Sequence, residues 1–307
     1  MSRLAVVIVS WNVRELLASC LRSLFDVLDA WEAEVAVWVV DNASSDGTPE
    51  MVTDSFPSVN LLTKDQNLGF AAANNVALRK VLHEARPGDG ETFAWLLNPD
   101  TEVRPGAASA LASALVQDSK AAVVGAKLLY ADGSLQQSAF QFPGLRQLAF
   151  ELFPLPRRLY NSPVNGRYPR HLYQGERPFL VDHPLGASMM VRMAAIDDVG
   201  LLDEGYHMYC EEIDWCWRMR EAGWHALCAP KAEVIHHAGQ STSQVPVRSF
   251  INLWKSRARL YARHHGPAVR RLAQMMVRVG MQRRTREARP GMAEARNEVI
   301  RAWDSVR

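Results

Sequence analysis

Short apolar runs alternate with helical patterns along the first third of the chain. The apolar runs cover residues 4–9, 35–40, 59–62 and 93–97. They are too short for helices, and their nearly continuous apolarity is typical of strands that are buried on both faces of a sheet. Apolar positions at helical spacing fill residues 12–29 and 71–85, and a further helix is expected after Thr48. This alternation predicts an α/β fold with a largely parallel sheet and helices on both faces.

Two of these helices carry start signals. Asn12 is a favoured N-cap residue, and Glu15 stands at the capping-box position three residues later. Thr48 is the expected cap of the second helix, because Pro49 fits the first helical position. The sequence therefore predicts helices that begin directly after residues 12 and 48.

Polar residues follow each of the four predicted strands. The segments are SWN (10–12), DNASSDGT (41–48), KDQNLGF (64–70) and NPDT (98–101). Each segment alone is typical of a turn. Ligands of parallel sheets bind beyond the carboxyl ends of the strands, and these four segments share that edge. Together they predict a site for a polar ligand.

The second half of the chain mixes shorter patterns. Strand-like runs flank a tight ADGS turn at residues 131–134, and residues 185–193 return to strand character. Residues 143–180 are rich in Pro, Arg and Tyr and have no period, which predicts a mobile lid or an acceptor loop. Helical spacing over residues 250–261 and 269–276 predicts two amphipathic helices separated at Gly266, before a flexible segment at 283–291.

A cluster of acids and aromatic residues stands out at residues 206–218, YHMYCEEIDWCWR. Glu211, Glu212 and Asp214 fall within four positions. One interpretation is a helix whose first turn carries acids that complement the positive end of its dipole. The other interpretation is a catalytic base in a partly dry pocket, where its proton affinity is tuned.

Composition places the chain among ordinary globular proteins. Hydrophobic residues make up 48% and charged residues 22%. No apolar run approaches the roughly 20 residues that span a bilayer, and the opening residues predict a strand rather than a signal peptide. The four cysteines form neither CxxC pairs nor a compact framework, which favours reduced thiols and a cytoplasmic protein.

Charge is divided unevenly along the chain. Residues 246–307 hold 15 Lys and Arg against 4 Asp and Glu, a balance of +11. The preceding 245 residues hold 20 against 29, a balance of −9. A basic tail on an acidic body suits an anionic partner, either a membrane surface, a nucleic acid or a phosphorylated substrate. A solvated basic helix without a partner explains the same charge.

Eight segments resemble a known family. VIVSWN, VVDNASSDGT, NLGFAAANN, LLNPDT, GASMMVR, GLLDEGYHMYCEEIDWCWR, AGW and VIHHAGQS stand in the order of family-two glycosyltransferases. The likeness is to the bacterial rhamnosyltransferase-like branch that builds cell-surface polysaccharides, and it runs from about residue 4 to 245. It implies a GT-A fold and inverting transfer. The expected domain is 1–245, with a nucleotide-binding half (1–120) and an acceptor half (121–245), followed by a basic helical extension (246–307).

The resemblance assigns the donor side of the site. Asp41 is similar to the carboxylate that reads the pyrimidine edge, where an acceptor-only group suits a ring N–H. The remaining residues implied to bind the nucleotide-sugar are Ser10, Trp11, Asn12, Asn67, Gly69, Phe70, Asn98 and Asp100. Gly69 is expected to allow close approach of the backbone.

A divalent cation is implied by the segment NPD. Many relatives have a DxD motif here, and Asn98 replaces its first Asp, which leaves Asp100 as the expected ligand. His236 matches the second protein contact. Mg²⁺ or Mn²⁺ would neutralise the departing diphosphate.

The acceptor side of the site is assigned in the same way. Glu212 resembles the family's general base, while Gly186, Ala187, Glu211 and Trp215 are expected beside the acceptor. Adjacent helical residues lie about 100° apart, so Glu211 and Glu212 are not expected to face the sugar together. Asp214 and Arg218 are spaced to pair across one helix face.

The resemblance thus implies a glycosyltransferase that uses a nucleotide-diphospho-sugar. The favoured donor is dTDP-L-rhamnose, with UDP-galactofuranose, UDP-GlcNAc and GDP-sugars as alternatives, and the acceptor is a hydroxyl of a glycan or lipid-linked molecule. A nucleotidyltransferase would carry a Gly-rich loop after the first strand, which VSWNVRE lacks. A catalytically inactive nucleotide-sugar-binding protein is the other alternative.

The basic tail is expected to touch the cytoplasmic face of the inner membrane, where lipid-linked acceptors lie. No nucleic-acid partner is expected. The alternative for the tail is a helical cap or a homodimer contact.

Overall fold

A ten-stranded mixed sheet lies at the centre of the computed structural model, which describes residues 3–28, 34–84, 91–240, 242–283 and 291–306. The strands are β1 Arg3–Ser10, β2 Val35–Asp41, β3 Asn60–Thr63, β4 Thr92–Leu97, β5 Thr101–Val103, β6 Ala121–Leu129, β7 Leu135–Gln136, β8 Ala139–Phe140, β9 Phe179–Val181, β10 His183–Pro184, β11 Ser188–Arg192 and β12 His225–His236. Strands β8 and β10 form a separate two-stranded sheet.

Helices surround this sheet. They are α1 Arg14–Leu28, α2 Thr48–Ser55, α3 Phe70–Glu84, α4 Ala107–Gln117, α5 Leu145–Leu152, α6 Met193–Val199, α7 Glu211–Glu221, α8 Pro246–His264, α9 Pro267–Arg283 and α10 Met292–Asp304. None of these described helices combines the length and the hydropathy that a bilayer crossing requires.

The sheet runs in the order β3-β2-β1-β4-β11-β6-β12-β5, with β7 paired to β6 and β9 to β12. Strands β3, β2, β1 and β4 are parallel to one another, and β11 lies antiparallel between β4 and β6. The predicted α/β fold with a mostly parallel sheet is confirmed. All four apolar runs of the first third form its strands.

Both faces of the sheet are covered, which explains the continuous apolar runs. On β1, Leu4, Val6 and Ile8 belong to the core on one face with α1 and α4. Ala5 and Val7 belong to the core on the other face with α3, α6 and α7. Successive residues of a strand point to opposite faces. A strand that is buried on both faces therefore has a continuous apolar run instead of alternating apolar and polar residues.

The start of α1 differs from the prediction. The helix begins at Arg14, and its first backbone N–H donates to the Asp46 carboxylate at 2.9 Å. Asn12 has a left-handed backbone (φ 52°) and its side chain accepts a hydrogen bond from the Ser45 N–H at 2.8 Å. The cap therefore comes from the β2–α2 loop, a contact between segments that local sequence does not reveal. In α2, Gly47 rather than Thr48 takes the cap position.

Gly69 brings α3 against the loop before α7. Its φ is +83°, and a Cβ there would lie 2.1 Å from the carbonyl oxygen of His207. The next N–H, of Phe70, donates to the same carbonyl at 2.8 Å. The close approach predicted for Gly69 is thus made to protein backbone, and it links the loop after β3 to the acidic segment.

The C-terminal helices α8, α9 and α10 pack with α5 around a core of their own. Trp254, Tyr261 and Trp303 are buried at its centre. The stretch 143–180, which has no period in sequence, contains α5 and three short 3₁₀ helices. The flexible segment predicted at 283–291 lies mostly outside the described residues, and the homodimer contact stays a prediction.

Candidate active site

A cleft of about 260 Å³ opens at the edge of the sheet where the polar segments meet. Ten of the predicted site residues line it: Trp11, Asn67, Phe70, Asn98, Asp100, Gly186, Ala187, Glu211, Glu212 and His236. They come from sequence positions up to 225 residues apart (236 − 11), so the fold assembles the cleft.

Strand register explains this convergence. Ser10 and Asp41 are paired at the ends of β1 and β2, and β4 ends beside them. Because β11 runs in the opposite direction, its amino end lies at the same edge, and the Asn98 N–H donates to the Ala187 carbonyl at 2.8 Å. His236 ends β12 and pairs with Thr101. The sheet thereby places the segments around Asp100, Ala187 and His236 side by side.

Three buried polar atoms on one wall of the cleft lack a hydrogen-bond partner among the described residues. They are Asn98 Oδ1, Asp100 Oδ1 and His236 Nε2. The last two are 3.4 Å apart, while His236 Nδ1 lies 2.9 Å from Gln136 Oε1. Gln136 therefore orients the ring, and Nε2 and the Asp100 carboxylate are left to face a ligand together.

Another part of the cleft wall is the first turn of α7. Tyr209 (φ 70°) and Cys210 (φ 68°) are two consecutive left-handed residues directly before this helix. Such conformations are costly for residues other than glycine and persist only where the surroundings enforce them. They make a sharp turn, which places Glu211 and Glu212 at the cleft.

The three acids in the first turn of α7 have different surroundings. Asp214 is fully buried and paired with Arg218 at 2.9 Å and with His264 at 2.8 Å. Burial alone would raise the pKa of Asp214, but the hydrogen bonds from His264 and Arg218 outweigh it and lower the pKa. Asp214 is therefore an anchor of the helix, and the predicted pair with Arg218 is confirmed.

Glu211 and Glu212 have no cationic partner among the described residues. Burial raises the pKa of Glu212 from 4.5 to about 7. Burial raises the pKa of Glu211 well above its usual range, and the neighbouring charge of Glu212 raises it further. Both carboxyl groups therefore resist ionisation. A group that titrates near pH 7 is suited to proton transfer.

Both acids line the cleft, contrary to the expectation from helical spacing. They occupy the first two positions of α7, and this end of the helix borders the cleft. A Cβ at Gly186 would lie 3.6 Å from the Glu212 Cβ and Cγ, an ordinary van der Waals distance, so Gly186 is a direct neighbour of Glu212. Gly186 and Ala187 both line the cleft, and their contact with the acceptor stays a prediction.

Five predicted residues do not line the cleft. Ser10 and Asp41 are buried directly behind it, and Ser10 Oγ and Asp41 Oδ1 lack partners among the described residues. Asn12 holds the neighbouring loop, and Gly69 contacts His207.

Trp215 corrects the acceptor assignment. Its ring is fully buried in the core and its indole N–H donates to the Gly200 carbonyl at 2.8 Å. Because Trp215 shares the helix with the acids but points to the sheet, it does not form the wall of an acceptor pocket.

Several lining residues were missed from the sequence, among them Asn42, Met208, Tyr209 and Gln240. Asn42 accepts the Leu68 N–H at 2.8 Å and donates to Asn67 at 3.0 Å, which joins two of the polar segments. Its signal was present, because it follows Asp41 at a strand end. Tyr209 gave no signal beyond its place beside the acids.

Comparison with known proteins identifies the family. The profile described as "Glycosyl transferase family 2" matches residues 5–200. The N-acetylglucosaminyl-diphospho-decaprenol L-rhamnosyltransferase of Mycobacterium tuberculosis is 34% identical over 221 residues, which cover 71% of each chain. The chain belongs to glycosyl transferase family 2. It is a glycosyltransferase, which removes the nucleotidyltransferase alternative.

Two solved structures have the same fold as this glycosyltransferase. GalNAc-T7 with UDP, GalNAc and Mn²⁺ has a TM-score of 0.58 at 14% identity, over 84% of this chain and 47% of that one. The mannosyltransferase PcManGT of Pyrobaculum calidifontis, in complex with GDP-Man and Mn²⁺, has a TM-score of 0.55 at 16% identity, over 97% of this chain and 73% of that one. Both are glycosyltransferases, and the predicted GT-A fold is confirmed.

The raised pKa of Glu212 predicts that the stability of the fold depends on pH. A carboxyl group with a folded-state pKa above its unfolded value of 4.5 costs stability as pH rises through that interval, and the cost is complete above about 7. Glu212→Gln removes this cost. We expect the variant to melt roughly 2–6 °C higher than the parent at pH 8, with a smaller gain at pH 5.

Asp214→Asn is the matched control for that measurement. It removes a carboxylate whose pKa is lowered, so it should destabilise the protein at pH 8. Differential scanning calorimetry across pH distinguishes the two. An equal or lower melting temperature for Glu212→Gln at pH 8 would contradict the unpaired, desolvated state of Glu212.

Proposed function

We propose that this enzyme transfers L-rhamnose, with inversion, from dTDP-L-rhamnose to a hydroxyl of a lipid-linked glycan. The observation that carries the proposal is that two sets of groups line one cleft. Glu211 and Glu212 have no cationic partner among the described residues, and the orphaned atoms of Asp100 and His236 line the same cleft. The sugar and the acceptor class follow from the M. tuberculosis relative, whose name states both.

Glu212 acts as the general base. Its carboxylate accepts the proton of the acceptor hydroxyl as that oxygen bonds to the anomeric carbon, and the bond from this carbon to the diphosphate oxygen breaks. The sugar passes through a state with developing positive charge, which a nearby carboxylate stabilises. A pKa near 7 leaves part of Glu212 ionised at neutral pH, ready to accept the proton.

Asp100 and His236 fit a divalent cation. The orphaned Asp100 Oδ1 and His236 Nε2 are suitable ligands for Mg²⁺ or Mn²⁺ and lie on the same wall. No cluster of three or more His, Cys, Asp or Glu is found in the described part of the chain, so donor oxygens would complete the set. When bound, such an ion neutralises charge on the diphosphate.

Asp41 reads the nucleobase in this proposal. Its Oδ1 is a buried acceptor without a partner among the described residues, and its Oδ2 is held by the Ser44 N–H at 3.1 Å. A fixed carboxylate oxygen suits the ring N–H of a pyrimidine. UDP-galactofuranose, UDP-GlcNAc and GDP-sugars remain the alternatives to a dTDP donor.

One face of α9 supports contact with the cytoplasmic face of the inner membrane. Leu272, Met275 and Val279 are 45%, 64% and 43% exposed, and their spacing of three and four residues puts them on one side of the helix. Arg271 and Arg278 stand beside them. An apolar stripe edged by arginines suits the interface of a bilayer that contains anionic lipid.

The role of Glu212 is tested by Glu212→Gln. Turnover should fall at least about 100-fold, because the amide cannot accept a proton, while donor binding survives. Glu211→Gln is the control and should cost less rate. If Glu212→Gln turns over normally while Glu211→Gln is dead, the base is Glu211, and if both are active neither acid is the base. A chain that turns over no nucleotide-sugar would instead support the inactive-protein alternative.

Nucleotide binding separates the roles of Asp100 and Asp41. Calorimetric titration with dTDP should show affinity that falls about 10-fold or more in EDTA and in Asp100→Asn, since charge neutralisation at the diphosphate is lost. Asp41→Ala should weaken binding both with and without Mg²⁺. Affinity that is unchanged by EDTA rules out the cation, and unchanged affinity in Asp41→Ala removes Asp41 from the site.

The membrane face is tested by sedimentation with vesicles of phosphatidylcholine, with and without phosphatidylglycerol. Binding should need the anionic lipid and should be lost when Leu272 and Met275 are changed to Ser. Val116→Ser is the matched control, because Val116 is 54% exposed on α4, away from the tail. Binding that ignores both lipid charge and the α9 substitutions would contradict this contact.

A further inference from the structure

A second cavity, of about 740 Å³, lies on the other side of Glu212 from the cleft. Its walls come from the segment between β8 and β9, the start of α7, and α8. Leu185, Tyr209 and Glu212 line both this cavity and the cleft. The proposed general base therefore stands at the junction of the two spaces.

Most of the cavity wall is apolar and aromatic. The side chains that form this part of the wall are Leu148, Phe150, Tyr160, Phe250, Leu253 and Trp254. A wall of this kind favours a hydrocarbon ligand, because apolar area removed from water is the main source of binding energy in such pockets.

Two guanidinium groups interrupt the apolar wall. Arg167 lies 5.5 Å from the Phe140 ring centroid. Within the described part of the chain, its buried Nε has no hydrogen-bond partner and no carboxylate is within ion-pair distance. Arg257 lies 4.8 Å from the Trp254 centroid and pairs with Glu151. An arginine in an apolar cavity without a carboxylate partner is costly, and a phosphate would supply the missing acceptor.

Tyr261 adds a third donor. Its hydroxyl oxygen is buried and has no hydrogen-bond partner among the described residues. It lines the same cavity as Arg167 and Arg257. Burial raises the pKa of Tyr261, so the hydroxyl keeps its proton and can donate a hydrogen bond. Three donors that line one largely apolar space suit an amphiphile with a strongly acidic head group.

We propose that this cavity binds a polyprenyl diphosphate acceptor. Arg167, Arg257 and Tyr261 hold the diphosphate, and the first isoprene units lie on the aromatic wall. Glu151 keeps Arg257 occupied until the diphosphate takes its place. The sugar attached to the diphosphate then projects toward Glu212. This inference rests on the proposed function, because it places the lipid-linked acceptor of that reaction.

The two arginines are distinct from the donor site. Neither Arg167 nor Arg257 lines the cleft in which Asp100 and His236 lie, and Glu212 separates the two spaces. One diphosphate on each side of the base brings the two substrates together at their reacting ends. This arrangement positions both substrates without a shared phosphate site.

The test uses farnesyl diphosphate as the probe and the full-length chain. Saturating dTDP with Mg²⁺ occupies the cleft, and binding is then measured by calorimetry. Arg167→Gln should raise the dissociation constant about 10-fold or more, because one charge-assisted contact is lost. The double change Glu151→Gln with Arg257→Gln removes a whole ion pair, so no buried charge is left alone, and it should weaken binding similarly.

Arg146→Gln is the matched control. Arg146 is an exposed arginine on α5 that bonds Gln141 at 3.0 Å and does not line the cavity, so this variant should bind within about two-fold of the parent. Farnesol and inorganic pyrophosphate should each bind more weakly than farnesyl diphosphate.

The proposal is overturned if the parent does not bind farnesyl diphosphate, or if both cavity variants bind it as the parent does. Pyrophosphate that binds as tightly as farnesyl diphosphate would also overturn it, because the cavity would then be an anion site without a lipid wall. The measurement needs no turnover, so a wrong donor sugar leaves its outcome unaffected. Failure of rhamnosyl transfer and failure of this inference are therefore told apart.

Discussion

The candidate active site depends on how basic partners are divided among the three acids in the first turn of α7. Asp214 binds three basic side chains: Arg218 at 2.9 Å, His264 at 2.8 Å and Arg263 at 3.3 Å. Glu211 and Glu212 are left with none among the described residues, in a place that desolvates them. The same helix thus contains an ionised anchor and a pair of carboxyl groups that resist ionisation. Environment, and not residue type, decides which acid is structural and which is chemical.

The basic C-terminal helices have a role within the fold before any partner is considered. Arg259 and Arg263 of α8 bind Asp203, and His264 binds Asp214, so α8 holds both ends of the loop that leads into α7. Trp217 stacks on His264 with ring centroids 4.6 Å apart. Part of the tail's charge is therefore used to fix the acidic segment. In α9, Arg271 and Arg278 stand beside the exposed apolar residues, and Arg278 also pairs with Asp304 at 2.9 Å.

The sequence predicted well what depends on repeating patterns. Buried strands, the helices between them and the polar edge follow from hydrophobic spacing. The resemblance pointed to Glu212, Asp100 and His236, and the fold brings all three to one cleft. Prediction from the sequence failed where segments that are distant in the chain come into contact. The cap of α1 comes from Asp46, Trp215 turns to the core, and the left-handed residues Tyr209 and Cys210 bring both glutamates to the cleft. The second cavity was also invisible, because α5 and α8 form it from segments about 100 residues apart (250 − 148).

The central claim is that Glu212 is a desolvated carboxyl group that titrates near neutral pH. Carbon-13 NMR of the protein labelled at the glutamate carboxyl carbons measures this directly, without substrate or turnover. We expect one signal with a midpoint near pH 7 that disappears in Glu212→Gln and remains in Asp214→Asn. If every glutamate signal instead titrates below about pH 5.5, as solvated carboxyl groups do, Glu212 is not a desolvated base and the proposed role of Glu212 is wrong.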